Sequence, residues 1–291
     1  MQAFGQARLA AEVERGGVSL DIPEQEIHDG EAGYSLAYRA NVAVESYNAQ
    51  LSLVTGIAAA QMMRAAGVGI LRTLPPAEQR DLTRLRHTAR ALGLEWPETT
   101  PYADFVRSLS SADPAEAAFM NEATTLFRGA GYETFRDGAP SEPHPHAAIA
   151  AEYAHVTAPL RRLVDRYGLE ICAAHCAGRE VPAWVRAALD ELPAEMADAT
   201  RLANRYERSA VDIVEAGILA GHVGETFAAV VVEERKEGGI VLLRTPAVRG
   251  YVTGDLSAGT QVRVRVLAAD VPAGSVELEL VTEAAKNADA L

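Results

Sequence analysis

Between residues 222 and 282, apolar and polar positions alternate in five short runs, TFAAVVVEE, GIVLLR, VRGYV, QVRVRVLAAD and SVELELV. Turn-forming stretches RKEGG, TGDLSAG and VPAG separate them. A period of two sends every second side chain to one face, and five such strands in one short stretch predict a small closed β-barrel of the OB type. Upstream the period is helical. From Val42 to Met63, residues Tyr47, Leu51, Val54, Ala58 and Met62 share one face, while Asn41, Glu45, Asn48 and Ser52 lie on another. A second helix runs from Pro76 to Leu92, with Leu82, Leu85, Ala89 and Leu92 in register and Gly93 to end it. Asp113-Pro114-Ala115-Glu116 resembles a capping box, and a long helix runs from near Pro193 to about Ala220. Extended pieces are predicted at ARLAAEVE, GVSLDI and AIAAEYAH. The fold class is therefore α+β: a mostly helical part over 1–221, the OB-like barrel over 222–282, and a frayed tail over 283–291.

Composition narrows the function classes. The chain has 291 residues, 48% of them hydrophobic, with 40 acidic against 27 basic residues for a net charge of −13. Such an acidic balance opposes broad, nonspecific nucleic-acid binding, although a local arginine-lined channel remains compatible with it. Lys236 and Lys286 are the only lysines, so the cations are almost all arginine. No run of 18 apolar residues and no signal-peptide pattern is present, which predicts a soluble, cytoplasmic protein with no membrane partner. Cys172 and Cys176, with His175 between them, are too few for a disulfide framework and read as helix packing.

Two arginines stand out. In EYAHVTAPLRR, residues 152–162, Arg161 and Arg162 follow a threonine and a proline. A paired arginine needs acceptor oxygens, which the protein's own carboxylates or incoming phosphates could supply. On the last long helix Arg201, Arg205, Arg208 and Asp212 form a stripe predicted to face solvent. Glu207 falls on another stripe with Thr200, Ala203, Val211 and Val214, where burial would require a cation. A plain ion pair with Arg161 or Arg162 is one account of it. His144, His146 and His155 form a possible metal set, but no carboxylate or third ligand stands at diagnostic spacing. In the barrel, Phe227 and Tyr251 are the candidate stacking aromatics.

The stretch H-x-x-I-A-x-x-Y-A-H-V-T-A-P-L-R-R-x-x-D, from His146 to Asp165, resembles the segment leading into the active-site arginine of the ribonuclease II / ribonuclease R (RNB) family. Ala158 stands where that family usually has serine, and Leu163 where it has tyrosine. Val44-Glu45 and the helix after it resemble the family's acidic helix, with Ser46 in place of its second acid. NRYERSAVD, residues 204–212, resembles its late helix, and the terminal barrel resembles its S1 domain. Phrases such as QLSLVTG and ILRTLPP point to a bacterial branch.

The resemblance implies a mostly helical C-terminal portion of an RNB-type catalytic domain, and a 3′→5′ exoribonuclease that hydrolyses single-stranded RNA from its 3′ end. It assigns catalytic roles to Arg161, which would grip the 3′-terminal phosphate, and to Glu207 and Glu45. RNA contacts would fall to Thr157, Arg161, Arg162, Tyr153 and His155, with Arg162 and Asp165 supporting the arrangement. The family uses Mg²⁺ held by an aspartate cluster of the form D-P-x-x-x-x-D-x-D, and no such run occurs in this chain. Asp190-Glu191 and Glu233-Glu234 are read as lying on a surface helix and in a β-hairpin, so no metal ligand is assigned. No small-molecule cofactor is implied. The order of the motifs suggests a chain that starts midway through the catalytic domain, lacks the cold-shock-like modules, and has the missing N-terminal half as its partner. Hydrolysis by this chain alone is then expected to be negligible. The alternative is a noncatalytic RNA-binding or interaction module on the same fold.

Overall fold

The structure, a computed structural model, describes residues 1–20, 24–30, 33–39, 41–110, 113–243, 246, 248–258 and 260–281. The predicted tail beyond 282 lies outside them, as does part of GVSLDI.

The first element is a helix, α1 (Gln2–Arg15), closed by Gly16 at φ 79°. ARLAAEVE is thus helical, not a strand. Its alternation of apolar and polar residues runs through alanine, leucine, arginine and glutamate, all strong helix formers, and a left-handed glycine follows it. α1 lies against α2 (Ala43–Ala66), where Gly5 fits over the ring of Tyr47 and a Cβ would clash at 2.3 Å. Between them stands a hairpin, β1 (Glu24–Gly30) antiparallel to β2 (Gly33–Arg39).

The main core gathers Ala59, Ala60 and Met63 of α2, and Ile70 and Leu71 of β3 (Gly69–Thr73). Ile171 of α6 (Leu163–Cys176), Val185 of α7 (Ala183–Ala188), and Leu192 and Met196 of α8 (Leu192–Ala220) complete it. β3 pairs antiparallel with β4 (Gly131–Phe135). A satellite core forms where α3 (Gln79–Ala91), α4 (Tyr102–Arg107) and α5 (Pro114–Ala123) meet. It packs Leu85, Phe105, Phe119 and Ala123, with Trp96 stacked on Phe105 at 4.7 Å. Asp113 caps α5 as its sequence suggests, accepting the amides of Ala115 and Glu116.

The five predicted strands appear as β5 (Thr226–Arg235), β6 (Gly238–Leu243), β7 (Arg249–Thr253), β8 (Gln261–Asp270) and β9 (Ser275–Leu280). They form one antiparallel sheet in the order β7-β6-β5-β8-β9. The edges approach until a Cβ on Gly250 of β7 would meet Leu278 of β9 at 2.4 Å, so the sheet is a nearly closed barrel. Val231, Val241, Val264 and Val266 fill it, and Leu219 of α8 plugs one end.

α8 therefore joins two cores. Its buried residues are Leu192 and Met196 near the start, and Glu215, Ala216 and Leu219 near the end. Every residue from 197 to 210 is exposed.

Candidate functional site

The segment after the β3–β4 pair turns sharply over 147–150, with Ala150 at φ 54°, and Ala151 bridges back to His146. AIAAEYAH thus starts as a turn and leaves as irregular extended chain. That chain is pinned onto the core: Arg72 donates its amide to Tyr153 O at 2.7 Å, and Ala154 donates to Gly56 O at 3.1 Å. Gly56 makes this approach possible, because a Cβ there would lie 2.0 Å from the Tyr153 ring and 2.6 Å from Ala154 O.

Asp165, in the first turn of α6 and fully buried, fixes the next stretch. Its Oδ1 accepts the Ala158 amide at 2.7 Å and Arg162 Nη2 at 2.8 Å, and its Oδ2 accepts Arg162 Nε at 2.7 Å. Arg166 Nε donates to Pro159 O at 2.9 Å. Held from both sides, the turn 157–161 projects outward. Leu160 is 93% exposed, and Thr157 and Arg161 are exposed as well. Among the described residues Arg161 has no ion-pair partner. The two adjacent arginines therefore do different things: Arg162 binds the protein and Arg161 is presented.

Tyr153 and His155 sit behind the turn. Tyr153 is buried and packs edge-on to His155 at 5.4 Å. His155 Nδ1 is 2.7 Å from the Tyr132 hydroxyl, and the Arg72 guanidinium lies over the Tyr132 ring at 4.9 Å. Burial, aided by the charges of Arg162 and Arg72, pushes the His155 pKa down to about 3. Burial and Arg72 push His146 down to about 4. Both imidazoles are neutral at pH 7. The imidazole Nδ1 of His144 contacts the Glu133 carboxylate, whereas His146 and His155 both pack against the Tyr153 ring.

Glu207 is exposed rather than buried on an apolar stripe, and among the described residues it has no ion-pair partner. The amphipathic pattern around it is real, but no side chain along 197–210 is buried, so its apolar side stays exposed where the helix bridges two cores. The plain ion pair with Arg161 or Arg162 does not form. Within the charged stripe, Arg201 pairs with Asp198, and Arg208 pairs with Asp212 at 2.7 Å and with buried Glu215 at 3.3 Å. Glu45 caps α2, accepting the Val42 amide at 2.9 Å.

These donors do not fit a hard divalent cation. Asp165 is committed to Arg162 and a backbone amide, Glu45 to a helix cap, and Glu207 has no ion-pair partner among the described residues. Among the described residues no group of three or more His, Cys, Asp or Glu side chains is placed to hold a metal ion.

Sequence reasoning missed the parts that set the geometry. Gly56 had a signal, since glycine inside an alanine-rich helix costs about 1 kcal/mol and suggests close backbone approach. Tyr132 and Arg72 had none, because β-pairing across the intervening α3–α5 unit brings them to the site.

Residues 225–281 match the family described as the RNase II-type exonuclease C-terminal S1 domain. The chain resembles the C-terminal part of the ribonuclease II/R family. Ribonuclease R of Aquifex aeolicus (strain VF5) is 24% identical, over 94% of this chain and 43% of the relative. The structure of Mycoplasma genitalium RNase R in complex with ribose methylated single-stranded RNA superposes with a TM-score of 0.80 at 17% identity, over 95% of this chain and 48% of that one. Yeast Ssd1, a pseudonuclease, superposes with a TM-score of 0.58 at 14% identity, over 76% of this chain and 29% of that one. The chain spans less than half the length of these relatives, and the structural likeness is one of fold.

Proposed function

We propose that this chain is the phosphate-gripping part of a ribonuclease II/R-type 3′→5′ exoribonuclease, with residues 1–221 as the C-terminal portion of the catalytic domain and 222–282 as its S1-like barrel. The observation that carries the reading is the exposure of Arg161, with no ion-pair partner among the described residues, on a turn whose backbone and neighbouring Arg162 are locked by buried Asp165. Presenting a guanidinium on a rigid turn suits bidentate binding of phosphate oxygens, and it lowers the ordering cost of binding.

In this reading Arg161 takes the phosphate near the 3′ end of single-stranded RNA. Thr157 offers a hydroxyl to the same backbone, and Glu207 faces the strand from α8. Tyr153, His155 and Arg162 contribute from behind, by fixing the turn. Glu45 acts at the edge of the site through its helix cap. The Mg²⁺ chemistry of such enzymes needs carboxylates that the described residues do not bring together, and in this reading the ligands come from the partner half of the catalytic domain. No helix among the described residues is long and apolar enough to cross a membrane; the cytoplasm as the place of action is part of this proposal.

The test is degradation of a 5′-labelled single-stranded RNA with Mg²⁺ and with EDTA, alongside a binding assay, for the chain and its Arg161→Ala variant. No shortening, with binding weakened in the variant, is the expected outcome. EDTA-sensitive shortening by the chain alone would show that it builds its own metal site and would overturn the reading. A noncatalytic RNA-binding module is the second reading, favoured by the shared fold of the pseudonuclease Ssd1. Continued inactivity after an aspartate-bearing N-terminal half is supplied would select it.

A further inference from the structure

The two tryptophans of the chain lie in opposite settings. Trp96 is covered by Phe105, stacked at 4.7 Å, and by the Arg86 guanidinium, 4.2 Å from its ring centre. Its Nε1 donates to Thr100 O at 2.9 Å. Trp184, in the first turn of α7, is 56% exposed. It meets the ring of Tyr167 on α6 at a steep angle, with 5.3 Å between centres. Tyr167 is itself anchored, since it packs against the main core.

This pair stands beside the turn that presents Arg161. Leu163 and Tyr167 are four residues apart in α6, so they share a flank, about 6 Å apart along the axis. Leu160 and Leu163 are exposed large apolar side chains, as Trp184 is, and they lead from the turn toward the ring pair. Arg166 ties the same helix to the turn through Pro159 O at 2.9 Å, which keeps the two in a fixed relation. Glu170 follows on the flank, three residues beyond Tyr167, and its charge favours phosphates on the Arg161 side. An open indole leaves a large flat apolar area in water. A nucleotide supplies both things this surface lacks: a phosphate for the guanidinium and a flat ring for the indole. Bases stack on aromatic side chains whatever their sequence, provided that they are unpaired.

We propose that Trp184, backed by Tyr167, is a stacking platform for a base of the single strand whose phosphate Arg161 holds. This rests on the phosphate-binding reading of Arg161 and extends it to an element, α7, that the reading did not use.

The experiment follows the full chain as it binds a single-stranded oligouridylate at low ionic strength. Tryptophan emission is read with unlabelled RNA, and affinity by fluorescence anisotropy with 5′-labelled RNA. The RNA should quench emission, because Trp96 is already covered and Trp184 is the open reporter. Inorganic polyphosphate, which offers phosphates without bases, should leave emission unchanged. Affinity should fall about tenfold in Trp184→Leu, which keeps an apolar side chain, and should be largely restored in Trp184→Tyr, which keeps a ring. Should Trp184→Leu fold poorly, the parent's emission with RNA and with polyphosphate decides. Emission unchanged by RNA, equal quenching by polyphosphate, or equal affinity in the parent and Trp184→Leu would each overturn the platform. If Arg161→Ala still weakens binding in that event, the phosphate-binding reading stands without it. Binding indifferent to both Arg161→Ala and Trp184→Leu would overturn the two together.

Discussion

The turn at 157–161 and the middle of α8 are both exposed and both carry a candidate site residue, yet they are held in opposite ways. The turn is fixed from beneath by Gly56, Asp165 and Arg166, so Arg161 starts from a defined base. The middle of α8 is fixed only from its ends, with no buried side chain between Met196 and Glu215. Sites built on rigid support lose little entropy when they bind, whereas an exposed helical span holds its residues by backbone hydrogen bonds and surface ion pairs such as Arg201–Asp198 and Arg208–Asp212. Substitutions beneath the turn should therefore damage the fold, and those on α8 should leave it almost untouched.

The largest effect is expected from Asp165→Ala, which strands Arg162 and the Ala158 amide. Loss of one member of a buried pair should cost about 3–5 kcal/mol by urea denaturation. Asp165→Asn, which keeps an acceptor for the amide, should cost less. If the alanine variant is as stable as the parent, the turn is not held as described.

Leu219→Ala, at the junction of α8 with the barrel, should cost about 3 kcal/mol. That loss would show that the ends of α8, and not its middle, carry its packing.

The histidines give a pH signature confined to the region beneath the turn. In the folded chain His146 and His155 have pKa values of about 4 and about 3, against an ordinary 6.5. Below pH 6.5 the unfolded chain binds protons that the folded chain refuses, so the stability present above pH 6.5 is lost as pH falls toward 4 and then 3. Denaturation midpoints at pH 7 and pH 5 should differ in the parent and differ less in His155→Phe.

Ala150→Gly should stabilise the chain by about 1 kcal/mol, since φ 54° is unfavourable for alanine and free for glycine. Smallest of all should be the stability changes from Arg161→Ala and Glu207→Gln, each within about 0.5 kcal/mol. RNA affinity should still fall about tenfold for Arg161→Ala, with the salt slope reduced by roughly 0.7 for one lost phosphate contact to a single strand.

The barrel was legible because its code is local. Alternation and Gly-containing turns fix each strand without reference to the rest of the chain, and all five strands fall where the alternation puts them. α8 was equally legible from Pro193 and its periodicity. The burial of Glu207 was not, since periodicity names a face and only a neighbour can bury it. ARLAAEVE failed for a related reason: alternation over so few residues does not outweigh helix propensity plus a glycine stop. Arg161 and Arg162 were visible as a pair, but their division of labour rests on Asp165 taking one of them, and the histidine cluster depends on a strand pair formed across the α3–α5 unit.

The bare middle of α8 makes the helix a crankshaft between two bearings. Orientation passes from the main core to the barrel through helical phase, with no packed side chain along 197–210 to absorb a change of register. One inserted residue in that span would turn the barrel by roughly 100° and advance it by about 1.5 Å, carrying Glu207 to a new azimuth if placed before it. It would also pull the β5–β6 hairpin away from α5. The length of this helix, counted in single residues, is thus as strict a constraint as any side chain on it.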